Sequence, residues 1–513
     1  MTLRAALATL ILSTASFALS LPVAAQGDPA MAARIEALLP DLEAYVAKGL
    51  ADFDVPGAAI GIVAGDALVY AKGFGLHAKG GDAVDPGTVF QIGSTTKAFL
   101  ATSLAIAVDQ DKLAWDDRVV DHAPDFQMMD PWVTQEFRIF DLLAQRSGLP
   151  PYANDAVGLL GFDQTAMIRS LRHVAPVSSF RSTFAYTNIT HMLAQRIVAA
   201  AMGAADWNEV IASEIFEPLG MTGSSFTAAA IETAPNAAKG YLWTPDGSTE
   251  VPFTEVFPYG FGAAGAINSN IEDMSGWLRL QLANGNFEGQ RIVSADNLAV
   301  TLIPRIGISP TAAYAMGWVD LATPNGRVVW HNGGTTAFGA YVGLLPDHDA
   351  GVVVLTNATN VGLPDAIGAW ALDRLLGNPE IDHAARSLAA ARDGAAADSA
   401  PFVTPADARP APPLEALAGT YDNPTFDQAD LAVADGALSL VLAGTGARLS
   451  FAAWDGDVFT VRLAQEGRFE AVAANLGADP LGFAQFQVGS DGRRSRLVLT
   501  PTESGQTYLF ARR

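Results

Sequence analysis

At about residue 386 the chain changes character, and no single fold accommodates both sides of the change. Alanine- and proline-rich sequence fills residues 386–413, including Pro401, Pro405, Pro410, Pro412 and Pro413. That composition reads as a linker. Beyond it the pattern is all strand, in short apolar runs at roughly ten-residue spacing: Leu431–Val433, Leu438–Leu442, Leu449–Phe451, Val458–Arg462, Phe469–Val472, Phe483–Val488, Leu497–Thr500 and Tyr508–Ala511. Turn signals such as Asp435-Gly436, Asp455-Gly456 and Asp491-Gly492 separate them. Eight such strands suit a small closed barrel or sandwich over residues 414–513.

The longer part, residues 26–385, is mixed. Residues 31–50 carry an amphipathic helical pattern. Ala58–Ala64 and Ala67–Ala71 are short apolar runs around Gly65-Asp66, a hairpin signal. Helical stretches follow at 189–201, 206–216 and 271–282, then strands at Val328–His331, Ala340–Leu345 and Gly351–Thr356, and a last helix near 365–376. Strands at both ends with helices between predict an α/β (α+β) sandwich, a mainly antiparallel sheet with helices packed on it.

Within this part, Ser94-Thr95-Thr96-Lys97 opens an apolar run of helical character through Phe99, Leu100, Leu104, Ile106 and Val108. Residues three apart share a helical face, so Ser94 and Lys97 point the same way. A serine needs a neighbouring base to become a nucleophile, and a lysine desolvated by apolar surroundings can lose its charge and serve. Of six lysines in the chain, Lys97 alone has a serine three residues before it. A partner for the pair is available in two Tyr-x-Asn triplets, Tyr152-Ala153-Asn154 and Tyr186-Thr187-Asn188. Trp330-His331-Asn332-Gly333-Gly334 is a third candidate, because its glycines permit close backbone approach to a substrate.

Ser94-x-x-Lys97, Tyr186-x-Asn188 and His331-x-Gly333 together resemble the three ordered motifs of the penicillin-recognising serine hydrolases, most of all the class C β-lactamase-like branch, similar to peptidase family S12. The likeness covers roughly residues 30–380. It includes Ala71-Lys72-Gly73-Phe74-Gly75, Ser147-Gly148-Leu149-Pro150 and Gly265-Ala266-Ile267-Asn268-Ser269. Leu417-Ala418-Gly419-Thr420-Tyr421 resembles the start of the lipocalin-like barrel often appended to such enzymes. The resemblance selects Tyr186 over Tyr152, because the family's tyrosine leads directly into a helix. It implies that Ser94 forms an acyl-enzyme and that Lys97 and Tyr186 share the proton, with the choice of base open. It further implies that Asn188, His331 and Gly333 bind substrate and that the backbone N–H groups of Ser94 and Gly334 form the oxyanion hole. Where relatives carry Lys-Thr-Gly this chain has His331-Asn332-Gly333, and a neutral imidazole is a weaker anchor for a substrate carboxylate.

The activity so implied is hydrolysis of peptide or amide bonds in oligopeptides that contain D-residues or are otherwise unusual, such as cell-wall or linearised cyclic peptides. A carboxylesterase or weak β-lactamase would use the same site, and an idle penicillin-binding-like module is the reading of another class. The barrel either packs against the catalytic part or shapes one wall of its cleft. The net charge of −23 argues against nucleic acid and anionic membrane as partners. With no cysteine, thiolate chemistry is excluded. Apart from His331, the histidines lack metal-ligand spacing, and neither a metal nor a cofactor is expected. Met1–Ala25 reads as a signal peptide cleaved near Ala25, which places the mature protein in the periplasm or outside the cell without an integral membrane span. The sequence leaves the oligomeric state open.

Overall fold

The computed structural model describes residues 29–490, 492–502 and 505–513. The expected signal segment, 1–25, lies outside them. Helix α1 (Pro29–Phe53) leads into strands β1 (Gly57–Ala64) and β2 (Ala67–Gly75). Helices α2 (Thr96–Asp109), α3 (Ile189–Met202) and α4 (Ile271–Leu282) follow. The chain then runs through β3 (Ile306–Ser309), β4 (Ala312–Tyr314), β5 (Val319–Thr323), β6 (Gly326–Gly334), β7 (Gly339–Leu345) and β8 (Ala350–Thr356) to helix α5 (Leu363–Leu376).

The eight strands form one antiparallel sheet in the order β2-β1-β8-β7-β6-β5-β4-β3, so the first strands of the chain close against the last. The central strands β7 and β8 are buried at every residue. Alternate side chains serve opposite faces. Ile60, Ile62, Val352 and Val354 pack with α1 and α5 on one side. Ala59, Val63, Val353 and Leu355 join the core containing α2, α3 and α4 on the other. A sheet covered on both faces explains why these strands read as continuous apolar runs rather than as alternation.

Helix α2 lies at the centre of that second core, buried from Thr96 to Ala107. A helix apolar all round belongs in such a place. The Asp109-Gln110-Asp111-Lys112 segment ends it at the surface, where its residues are mostly exposed.

Past the sheet domain, helix α6 (His383–Ser399) occupies the alanine-rich half of the segment expected to be linker. Alanine is the strongest helix former, and this stretch has no proline until residue 401. The proline-rich half is mostly irregular. The C-terminal domain is a closed barrel of eight antiparallel strands: β9 (Gly419–Asn423), β10 (Asp427–Ala434), β11 (Ala437–Leu442), β12 (Arg448–Asp455), β13 (Val458–Leu463), β14 (Gly482–Val488), β15 (Arg494–Pro501) and β16 (Tyr508–Arg512).

One expected strand is corrected. Phe469–Val472 belongs to a helical segment that continues as α7 (Glu470–Leu476). Its apolar residues recur at 469, 472 and 476, a helical and not a strand period. The eighth strand is β9 instead, whose Tyr421 is fully buried and donates its hydroxyl to the Leu417 carbonyl at 2.7 Å.

The barrel docks its end on residues 152–162 of the sheet domain. Phe162 meets Phe426 edge-on at 5.7 Å, and Asn154 is bonded by Gln506 and Tyr508. Among the described residues, no helix is long and apolar enough to cross a membrane.

Candidate active site

Ser94 sits in a 3-10 turn, Gly93–Thr95, that runs straight into α2 at Thr96. In such a turn residues i and i+3 eclipse, which sets Lys97 beneath Ser94. The turn is pinned against β6 by backbone contact. Gly93 has φ +50°, and a Cβ there would lie 2.7 Å from the Gly334 nitrogen. A Cβ on Gly333 would lie 1.9 Å from the Ile92 carbonyl oxygen. Only glycine permits this approach, which brings Ser94 and Gly334 into the wall of one cleft of about 620 Å³. In the stretch Phe90–Leu100, Ser94 alone is not fully buried.

Lys97 has no exposed surface. Its ammonium donates to Ser94 Oγ at 3.0 Å, Asn188 Oδ1 at 2.8 Å and the Ala264 carbonyl at 2.7 Å. Asn188 is held in turn: its Nδ2 donates to Asp155 Oδ2 at 2.7 Å. Because that carboxylate only accepts, the amide oxygen of Asn188 must face Lys97. Burial lowers the Lys97 pKa to about 7, against the Asp155 charge, which raises it. When Lys97 loses its proton, two N–H groups remain for two acceptor-only partners, Asn188 Oδ1 and the Ala264 carbonyl. The lone pair is then left facing the Ser94 hydroxyl.

Tyr186 precedes α3 by three residues, and its ring lies 4.7 Å from Lys97 Nζ. Burial, then the neighbouring Tyr314, holds its hydroxyl well above the ordinary pKa, although a hydrogen bond with Ser94 lowers it. Tyr186 is therefore a neutral phenol at pH 7. The backbone beside it is fixed by Gln145, whose Oε1 accepts from Thr187 N at 2.7 Å and whose Nε2 donates to the Thr187 carbonyl at 3.2 Å.

His331 and Gly333 lie behind the cleft wall rather than on it. His331 is 2% exposed and packs against the rings of Tyr186 and Tyr314. Its Nδ1–H donates to the Asn332 carbonyl at 2.5 Å, so Nε2, 3.0 Å from the Tyr314 hydroxyl, accepts from it. Burial, aided by the Lys97 charge, lowers the His331 pKa to about 3. It carries no charge at pH 7. On the opposite side of β6, Asp365 accepts from Asn332 Nδ2 at 2.7 Å and Asn360 Nδ2 at 2.9 Å, while Asn360 also donates to the Gly333 carbonyl.

Of the residues expected from the sequence, Ser94, Lys97, Tyr186, Asn188 and Gly334 converge here, and the second triplet flanks them. Tyr152 lines the cleft, whereas Asn154 turns away to the barrel. Asp155, Ala264, Gln145 and Tyr314 escaped the sequence reading. Asp155 follows the Tyr152 triplet directly, but nothing in the sequence marks its carboxylate as buried. The remaining walls are largely apolar, from Leu159, Phe184, Phe257 and Phe261, together with Leu476 of the barrel domain. Asp155 is the one ionisable acid or base other than tyrosine among the described lining residues. Among the described residues, no three His, Asp or Glu side chains cluster as a metal site would.

A serine, a buried lysine and a tyrosine thus meet at the junction of an antiparallel sheet and its helices. The chain belongs to the beta-lactamase family, which matches residues 42–377, and a domain of unknown function, DUF3471, matches residues 404–512. Similar proteins include an "unguisins hydrolase" of Aspergillus campestris, 27% identical over 89% of this chain and 88% of the relative. "Protein flp" of Staphylococcus aureus is 27% identical over 61% of this chain and 62% of its own length. Among solved structures, an octameric penicillin-binding protein homologue from Pyrococcus abyssi shares the fold with TM-score 0.59 at 22% identity, over 92% of this chain and 99% of its own. SurE does so with TM-score 0.56 at 19% identity, over 94% of this chain and 100% of its own.

Proposed function

We propose that the protein hydrolyses amide bonds of neutral or amine-bearing oligopeptides through an acyl-enzyme on Ser94. The observation that carries this reading is the Lys97 amine, buried between two fixed carbonyl acceptors with its third partner the Ser94 hydroxyl. Neutral Lys97 takes the Ser94 proton as Oγ attacks the carbonyl carbon. The backbone N–H groups of Ser94 and Gly334 stabilise the resulting oxyanion, each donor contributing about 3 kcal/mol. The phenol of Tyr186 passes its proton to the departing nitrogen and regains one from Lys97. Water then repeats the sequence on the acyl-enzyme. An amine leaving group needs that proton more than an alcohol does, so a neutral phenol beside Ser94 supports amide over ester cleavage.

The charge of the cleft supports the substrate class. Asp155 attracts an amino group, and the neutral His331 supplies no cation for a carboxylate. This makes β-lactams poor substrates. The name of the Aspergillus relative, unguisins hydrolase, agrees with hydrolytic chemistry on a similar chain. Asn188 orients the scissile carbonyl, with the His331–Gly333 strand supporting it from behind. We further propose export, with removal of residues 1–25, tested by the mass of the mature chain and its fractionation.

The test of the activity compares aminoacyl p-nitroanilides of both hands, matched p-nitrophenyl esters and a chromogenic cephalosporin, each beside Ser94→Ala. Amide turnover lost in the variant is expected, with the D/L ratio naming the preferred hand. Ester turnover alone would replace the amidase reading with an esterase. Activity unchanged in Ser94→Ala would overturn the site.

A further inference from the structure

The mouth of the barrel holds a second cavity, of about 230 Å³, walled by Phe426, Leu449, Val461, Leu463 and Leu499. Protein interiors are close-packed, and a void forfeits the contacts its lining atoms would make. An eight-stranded barrel is wide enough either to be filled by its own side chains or to hold one small ligand. Here space is left unfilled by the barrel's own side chains.

The space adjoins the catalytic cleft. Leu159 and Leu476 line both cavities, one from each domain. Leu159 lies four residues beyond Asp155 in a short helix, Asp155–Leu159, so both side chains project to the same side. Leu476 closes α7. Both leucines are only partly buried, and between them they are all that the two cavities share. Tyr508 adds its ring to the barrel cavity while its hydroxyl is taken up by Asn154 Oδ1 at 3.1 Å, leaving the apolar ring face for an occupant.

We propose that this cavity is a side-chain subsite of the catalytic cleft, taking an aromatic or branched aliphatic group of the substrate that acylates Ser94. The proposal rests on the serine-hydrolase reading of that residue. Size sets the class. An apolar cavity of about 150 Å³ admits benzene, so 230 Å³ admits a phenylalanine- or leucine-sized group and excludes a long acyl chain. The barrel then acts as a selectivity element, reading a substrate group beyond the scissile bond.

Two measurements on the mature full-length chain test it. The first is kcat/KM for p-nitrophenyl esters with acetyl, isovaleryl, 4-phenylbutyryl and dodecanoyl groups. The 4-phenylbutyryl ester is expected to exceed acetyl by at least about tenfold, since apolar groups filling a pocket are discriminated on that scale. Leu481→Trp, which narrows the cavity from its partly buried rim, should abolish that ratio, and Leu481→Ala should move the preference to longer groups. A ratio is unaffected by the fraction of chain that folds. The second is calorimetric binding of the neutral probe 4-phenylbutanamide to Ser94→Ala with and without Leu481→Trp. Binding weakened about tenfold or more by the tryptophan supports the subsite. Identical ratios in all three enzymes, or probe affinity unchanged by Leu481→Trp, would overturn it. If no ester is turned over but the probe binds and Leu481→Trp expels it, the subsite stands and the Ser94 mechanism falls.

Discussion

Tyr152-Ala153-Asn154 and Tyr186-Thr187-Asn188 are the same triplet on two sides of one cleft, and they do different work. Both tyrosines line the cleft and their rings are 5.8 Å apart. The asparagines diverge. Asn188 has helical backbone (φ −89°, ψ −36°), opens α3 and turns its amide inward to Lys97 and Asp155. Asn154 is left-handed (φ 60°) and turns outward, where Gln506 and Tyr508 of the barrel donate to its Oδ1 at 2.8 and 3.1 Å. Its Nδ2 donates to Ser170 Oγ at 2.6 Å. One triplet holds Lys97, on the proposed proton path, and the other fastens the second domain. The two meet at Asp155, which follows Asn154 in sequence and binds Asn188 in space. Both triplets lead into a helix, and it is the backbone conformation of the asparagine, not the triplet's sequence, that sets where its amide points.

The largest effect should come from the group that Asn188 serves. Lys97→Met is expected to lower kcat about 10³-fold, the range of a lost general base, with some loss of stability because Asn188 Oδ1 and the Ala264 carbonyl lose their donor. A loss below about tenfold would give the base role to another group. Asn188→Ala should lower kcat about 10²-fold through the same proton path, whereas Asn154→Ala should leave kcat within a few fold. Equal losses in the two alanine variants would erase the distinction between the triplets.

Asp155→Asn sharpens it further. The carboxylate raises the Lys97 pKa against burial, so removing it lowers that pKa. The acid limb of kcat against pH, expected near pH 7 in the wild type as Lys97 deprotonates, should move to lower pH. A limb that stays in place would remove Asp155 from the path. The smallest effects belong to the outward triplet. Asn154→Ala should cost about 1–3 kcal/mol of stability, as expected when buried partners are left unpaired. Tyr508→Phe, which deletes one of its bonds, should cost about 1 kcal/mol in denaturant unfolding.

Much of this was legible in the chain. Ser94 and Lys97 announced themselves through local spacing, since one turn of helix fixes their relation whatever surrounds it. The central strands were readable because burial on both faces leaves a continuous apolar run. Choosing between the two triplets required the resemblance to a family, because local sequence does not say where an asparagine points. Ala264 acts through its carbonyl, which no residue code reveals. Asp155 looks like any acidic residue until the fold places it beside Asn188. His331 was visible, but its place behind Tyr186 follows from strand alternation against Tyr314 on a neighbouring segment. The Phe469–Val472 error was local: two apolar residues three apart fit a strand only if the period is ignored.

In the proposed mechanism Ser94 is acylated with neutral Lys97 as its base. The most direct test mixes excess p-nitrophenyl ester with the mature protein from pH 5 to 9, follows the burst of p-nitrophenol, and weighs the quenched chain. One acyl group per chain is expected, located on Ser94, with a burst rate that rises through an apparent pKa near 7. An acyl group on another residue, or a burst rate independent of pH across that range, would contradict it.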